Sequence, residues 1–106
     1  MDLQQLEAML EKGRDSALLR LSLGKGYLDA GDPARAIEHL QRCVEQDPDY
    51  SAAWNMLGKA QLEGGDPQAA QQTWEQGVAV AERKGDVQAG KEMAVFLKRL
   101  ARTSPQ

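Results

Sequence analysis

Aromatic residues are scarce in this chain: two tryptophans, two tyrosines and one phenylalanine among 106 residues. β-Branched residues are nearly as sparse, with one isoleucine and two threonines beside a handful of valines. Strands draw on both classes, so a sheet protein is disfavoured, while plentiful Leu and Ala favour helix. The one cysteine, Cys43, cannot close an internal disulfide; it suits a reducing compartment, and the cytoplasm is the expected location. Basic charge is not in excess. A net charge of -3 and a pI near 5.1 exclude the basic field of a dedicated nucleic-acid binder. No stretch approaches the ~20 apolar residues of a membrane span. The opening Met1-Asp2-Leu3-Gln4-Gln5 lacks the basic-then-apolar order of a secretory signal, so none is expected. With 42% hydrophobic and 27% charged residues, the chain reads as one folded domain over residues 1–102 and a disordered tail, 103–106.

The sequence does contain a copy of itself. Shifted by 34 residues, Gly24-Lys25 falls on Gly58-Lys59, and Gly31-Asp32-Pro33 on Gly65-Asp66-Pro67. Leu23 falls on Leu57, Leu28 on Leu62, Ala36 on Ala70 and Val44 on Val78. The same shift places Leu3 on Ile37, Leu6 on Leu40, Met9 on Cys43 and Leu10 on Val44. Residues 2–16 therefore read as the second half of a unit, 17–50 and 51–86 as full units, and 87–102 as the first helix of another. Asp32-Pro33 and Asp66-Pro67 are helix starts, since the carboxylate accepts from free N–H groups and proline tolerates the first helical position. Gly31 and Gly65 end the helices before them. Apolar residues recur three and four apart, as at Leu3, Leu6 and Leu10, and predict about six helices and no strand.

These residues resemble the tetratricopeptide repeat, a 34-residue helix-turn-helix. Unit 17–50 matches its pattern at Leu23, Gly24, Tyr27, Ala36, Leu40, Cys43 and Pro48. Unit 51–86 matches at Trp54, Leu57, Gly58, Ala70, Trp74 and Gly77. Arg20 stands where the pattern has tryptophan, Gln61 where it has tyrosine and Glu82 where it has proline. The resemblance implies an all-α fold, a short right-handed α-solenoid of antiparallel helix pairs with a concave face.

Catalytic chemistry finds no footing. His39 and Cys43 share a helix face, but two ligands do not make a metal site, so no metal and no cofactor are expected. The Gly-Lys pairs lack the Ser or Thr and the earlier glycine of a phosphate loop. The chain is expected not to be an enzyme but a protein-binding adaptor. The resemblance places Leu18, Leu21, Lys25, Leu28 and Asp29 in its groove, then Ala52, Asn55, Lys59, Leu62 and Glu63, and from the last helix Gln88, Lys91, Val95 and Lys98. Lys25 and Lys59 are expected in one column with Lys91 near, facing a protein or peptide partner that carries acidic and apolar residues. The family variant that clamps chaperone tails is not matched: Leu21, Lys25, Met56, Gln88 and Glu92 occupy its Lys and Asn positions. The other expectation is weak homo-oligomerisation, in which a self-associating structural subunit uses an uncapped N-terminal edge near Leu18 and Leu21.

Overall fold

Two helices begin on an Asp-Pro start signal, and the helices before them end just before a left-handed glycine. In the computed structural model, which describes residues 2–103, the helices are α1 Leu3–Glu11, α2 Ala17–Asp29, α3 Pro33–Gln46, α4 Ser51–Glu63, α5 Pro67–Lys84 and α6 Val87–Thr103. No strand occurs among the described residues. Asp32 accepts from the Arg35 N–H at 3.2 Å and Asp66 from the Ala69 N–H at 3.1 Å, with Pro33 and Pro67 in the first turn. Gly31 and Gly65 leave the preceding helices at φ +78° and +88°, where a Cβ would be strained.

The helices pack antiparallel in chain order, with α2 also touching α4 and α4 touching α6. The result is a right-handed solenoid of 46 × 29 × 19 Å. Its core is a series of bulky side chains seated on glycines. Leu40 of α3 sits on Gly24 of α2, Trp74 of α5 on Gly58 of α4, and Met93 of α6 on Gly77 of α5. Leu40 and Met93 are fully buried and Trp74 is 1% exposed. Close approach of the backbones is what lets pairs this different in size fill the same kind of gap.

The second full unit is longer than the first. α5 has 18 residues against 14 in α3, while only Gly85 and Asp86 separate it from α6. α6 therefore reproduces α4 at a shift of 36 residues: Ala89 is buried where Ala53 is, and Met93 where Leu57 is.

Arg20, the departure from the repeat pattern, is held by partners outside its own helix. Its guanidinium grips Asp15 with two bonds, 2.8 and 2.9 Å, and lies 3.1 Å from Nδ1 of His39. Arg20 donates there, so Nδ1 is the acceptor and Nε2 carries the proton toward Glu7 Oε1 at 3.2 Å. The ring stacks on Tyr27, whose hydroxyl donates to the same Glu7 oxygen. This cluster ties α1 to α2 and α3, while Leu3 packs against Gly26; no residue of α1 is fully buried. Thr103, expected in the tail, closes α6, its hydroxyl donating to the carbonyls of Arg99 and Leu100. The rest of the expected tail, Ser104 to Gln106, lies outside the described residues.

Candidate functional site

Where α2, α4 and α6 line up side by side, their last turns leave a groove of about 380 Å³. Leu28 of α2 forms one wall. Lys59, Leu62 and Glu63 of α4 run along the middle, and Phe96, Arg99 and Leu100 of α6 form the other wall. Trp74 is the floor, its ring 4.8 Å from that of Phe96. Leu62 is 41% exposed, an apolar side chain open to solvent inside a concavity. Two cations flank the Phe96 ring: Lys59 Nζ lies 5.3 Å and Arg99 Cζ 6.0 Å from its centroid. Among the described residues neither cation forms an ion pair. The groove thus offers apolar area with two cations at its rim that no described carboxylate pairs directly, Glu63 also lining it.

Four of the residues expected in the groove, Leu28, Lys59, Leu62 and Glu63, come together there. The others lie elsewhere. Lys25 borders a separate cleft with Leu3, Leu6 and Ser22, and its Nζ is 2.9 Å from Asp29. Lys91 borders a third, between α5 and α6. The three lysines thus face three clefts rather than one column. Leu18 is 66% exposed at the start of α2, and Leu21 packs half-buried against the core. Asn55 is buried rather than displayed: its Nδ2 donates to Glu92 Oε1 at 3.2 Å, and its Oδ1 has no partner among the described residues.

Phe96 and Arg99 were not among the expected groove residues. Val95 and Lys98 of α6 do occupy the positions of Lys59 and Leu62 in α4, at the shift of 36. From α6, however, the groove takes Phe96, Arg99 and Leu100, the counterparts at that shift of Ala60 and Glu63 in α4 and of Gly64 just after it. The lone phenylalanine of the chain, placed one residue after Val95, was the available signal.

The other side chains of chemical interest are occupied structurally. Cys43 is fully buried, its Sγ donating to the Ala17 carbonyl at 3.2 Å, and burial first, then the Asp47 charge, pushes its thiol pKa up to about 11. Among the described residues no group of three or more His, Cys, Asp or Glu side chains could hold a metal ion. No described helix is long and apolar enough to cross a membrane.

Stacked helix pairs with a shared groove define a helical-repeat protein. The chain belongs to the tetratricopeptide repeat family, whose profile matches residues 27–94. A TPR repeat-containing protein of Pseudomonas aeruginosa is 64% identical over 102 residues, which cover 96% of this chain and 97% of the relative. A solution structure of a Bordetella parapertussis protein shares 47% identity and superposes with a TM-score of 0.83, covering 94% of this chain and 87% of that one. The crystal structure of a tetratricopeptide repeat domain protein from Salinibacter ruber, 24% identical, has the same fold at a TM-score of 0.79, over 85% of this chain and all of that one. Membership makes the chain a protein–protein interaction module of the general kind the family provides.

Proposed function

We propose that this chain is an adaptor that binds a short segment of a partner protein in the groove of Leu28, Lys59, Leu62, Phe96 and Arg99. The observation that carries the reading is the pairing of an open apolar concavity with two cations that have no carboxylate of their own. The segment that fits has one or two apolar anchors beside Asp or Glu, or a free carboxylate. The apolar contacts supply most of the affinity, because exposed ion pairs contribute only ~0.2–1 kcal/mol each. The charges set orientation and association rate. Lys91, on a neighbouring cleft, adds to the same positive field, whereas Lys25 is paired with Asp29. The lone thiol fits a reducing compartment, and the cytoplasm is the proposed location.

Selection from a displayed peptide library tests this. Peptides with apolar anchors and acidic flanks should be enriched. Lys59→Glu with Arg99→Glu should slow their association and flatten its salt dependence, and Leu62→Ser should speed dissociation. Enrichment without that signature, or equal binding by the folded variants, rules the groove out.

A further inference from the structure

We propose that copies of this chain join head to tail, α1 of one copy docking on the outer face of α6 of the next, so that the two helices complete a repeat. The inference does not rest on the groove reading.

The first observation is an open face. α3 covers α2, and α5 covers α4, each seating a bulky side chain on the helix before it. Among the described residues, no helix covers the same side of α6. It forms with α5 a trough of about 440 Å³ along Val78, Ala81, Val87, Gly90 and Ala94.

The second is a helix of the matching kind with an unfilled face. α1 corresponds to α3 at the 34-residue shift, Leu6 falling on Leu40 and Met9 on Cys43. Leu40 and Cys43 are completely buried, whereas Leu6 and Met9 are only half-covered. Leu6 opens into a cleft of about 490 Å³ beside Ser22 and Asp29.

The two faces fit by size. Within the second unit Trp74 sits on Gly58, and the Cβ of Trp54 packs against Gly77. At the shifts already established, a completed unit puts Leu6 on Ala94 and Met9 against Gly90. Both contacts again match large with small. In the second the sizes are exchanged between the partners, as two faces adapted to one another require.

Exposure and charge agree. Of the four large apolar residues most open to solvent among the described residues, Leu62 lies in the groove. The other three sit at the ends: Leu18, 66% exposed, on α2, with Val87, 65%, and Val95, 45%, on α6. α6 carries Lys91, Lys98, Arg99 and Arg102 against a single Glu92, while α1 carries the exposed Glu11, Glu7 bound within the chain by His39 and Tyr27, and no basic residue. Opposite signs favour α1 on α6 and disfavour α6 on α6. The contact joins two different surfaces, so each added copy presents the same free end again and growth is open-ended.

Sedimentation velocity from micromolar to millimolar protein tests the proposal, with circular dichroism verifying the fold of every variant. The wild type should pass through dimer toward longer species. Met9→Glu blocks the α1 face and Ala94→Glu the α6 face; each alone should stay monomeric. Their equimolar mixture should form a one-to-one dimer that grows no further, because it retains one intact junction. The exposed pair Lys91→Glu with Lys98→Glu blocks the α6 face without touching the core and should weaken association about tenfold or more. A wild type monomeric throughout the range, a Met9→Glu protein that associates like wild type, or a mixture that stays monomeric overturns the proposal.

Discussion

Replacing Gly58 by alanine should destabilise the protein, although the same change in an open helix stabilises it. Gly58 lies in the interior of α4, where alanine is favoured over glycine by ~1 kcal/mol. Here, however, an added Cβ would fall within the Trp74 indole. The ring cannot yield: it is 1% exposed, packs on Phe96, and its Nε1 donates to the Asn55 carbonyl at 3.1 Å. Overpacking of this kind costs ~1–3 kcal/mol, and the high end applies where a rigid ring is trapped. The net loss should be about 1–2 kcal/mol, or roughly 4–8 °C in melting temperature for a chain of this length. Gly90→Ala is the control, because its Cβ would meet only the Ala81 Cβ at an ordinary 3.5 Å. That variant should gain up to ~1 kcal/mol. A third protein, Trp74→Leu, installs the smaller plug that Leu40 provides on Gly24. In that background Gly58→Ala should be far less harmful, with a coupling of ~0.5–3 kcal/mol. Thermal denaturation of the four proteins and the double variant reads all of these values. A Gly58→Ala protein melting at or above wild type, or additive effects with Trp74→Leu, would show that the contact is not what closes α4 on α5.

Three other outcomes are expected. Trp54→Ala should cost about 2–3 kcal/mol in urea denaturation, near the low end for tryptophan truncation, because the ring is only half-buried although its Nε1 donates to the Pro48 carbonyl at 2.8 Å. The bonds from Arg20, and next from Gln46, hold the Asp15 carboxyl well below the usual carboxylate range. Its contribution is therefore complete above the unfolded value of about 4 and is lost as pH falls through the folded one. Asp15→Asn should make stability less dependent on pH in that acid window, and an unchanged acid titration of stability would count against the ion pair. Cys43, buried and with its pKa raised, should react with an aromatic disulfide reagent at neutral pH only as fast as the protein opens, so the rate should climb with denaturant. Prompt stoichiometric labelling of the native protein would contradict that burial.

The repeat could be read from the sequence because its signals are local. Gly31-Asp32-Pro33 and its copy set a helix end and a helix start within three residues, and no tertiary contact is needed to interpret them. Gly24 and Gly58, thirty-four apart, marked the close contacts, although only the folded chain shows what fills them. Residues whose roles depend on helix rotation were harder to place. Asn55 looked like a groove residue, but Glu92 lies across it, and that meeting depends on how α6 leans on α4. Phe96 turns inward as its counterpart Ala60 does, but only the shift of 36, set by a longer α5 and a shorter turn, pairs the two. Arg20 in place of tryptophan could not be explained locally, since Asp15 lies outside its helix and His39 nineteen residues away.

The three glycine seats share one spacing: the side chain that fills each lies sixteen residues further along the chain, at Leu40, Trp74 and Met93. Each seat accepts a plug of a different shape, so the units are not interchangeable parts. Moving α5 onto α2 would drive an indole into a site shaped for leucine, and the reverse exchange would leave a hole beside Gly58. For this reason the two members of a seat are expected to drift together among descendants of this sequence, a larger residue at one position accompanied by a smaller one sixteen away. Lengthening the array by copying a unit should work only when a seat and its own plug are copied as a pair.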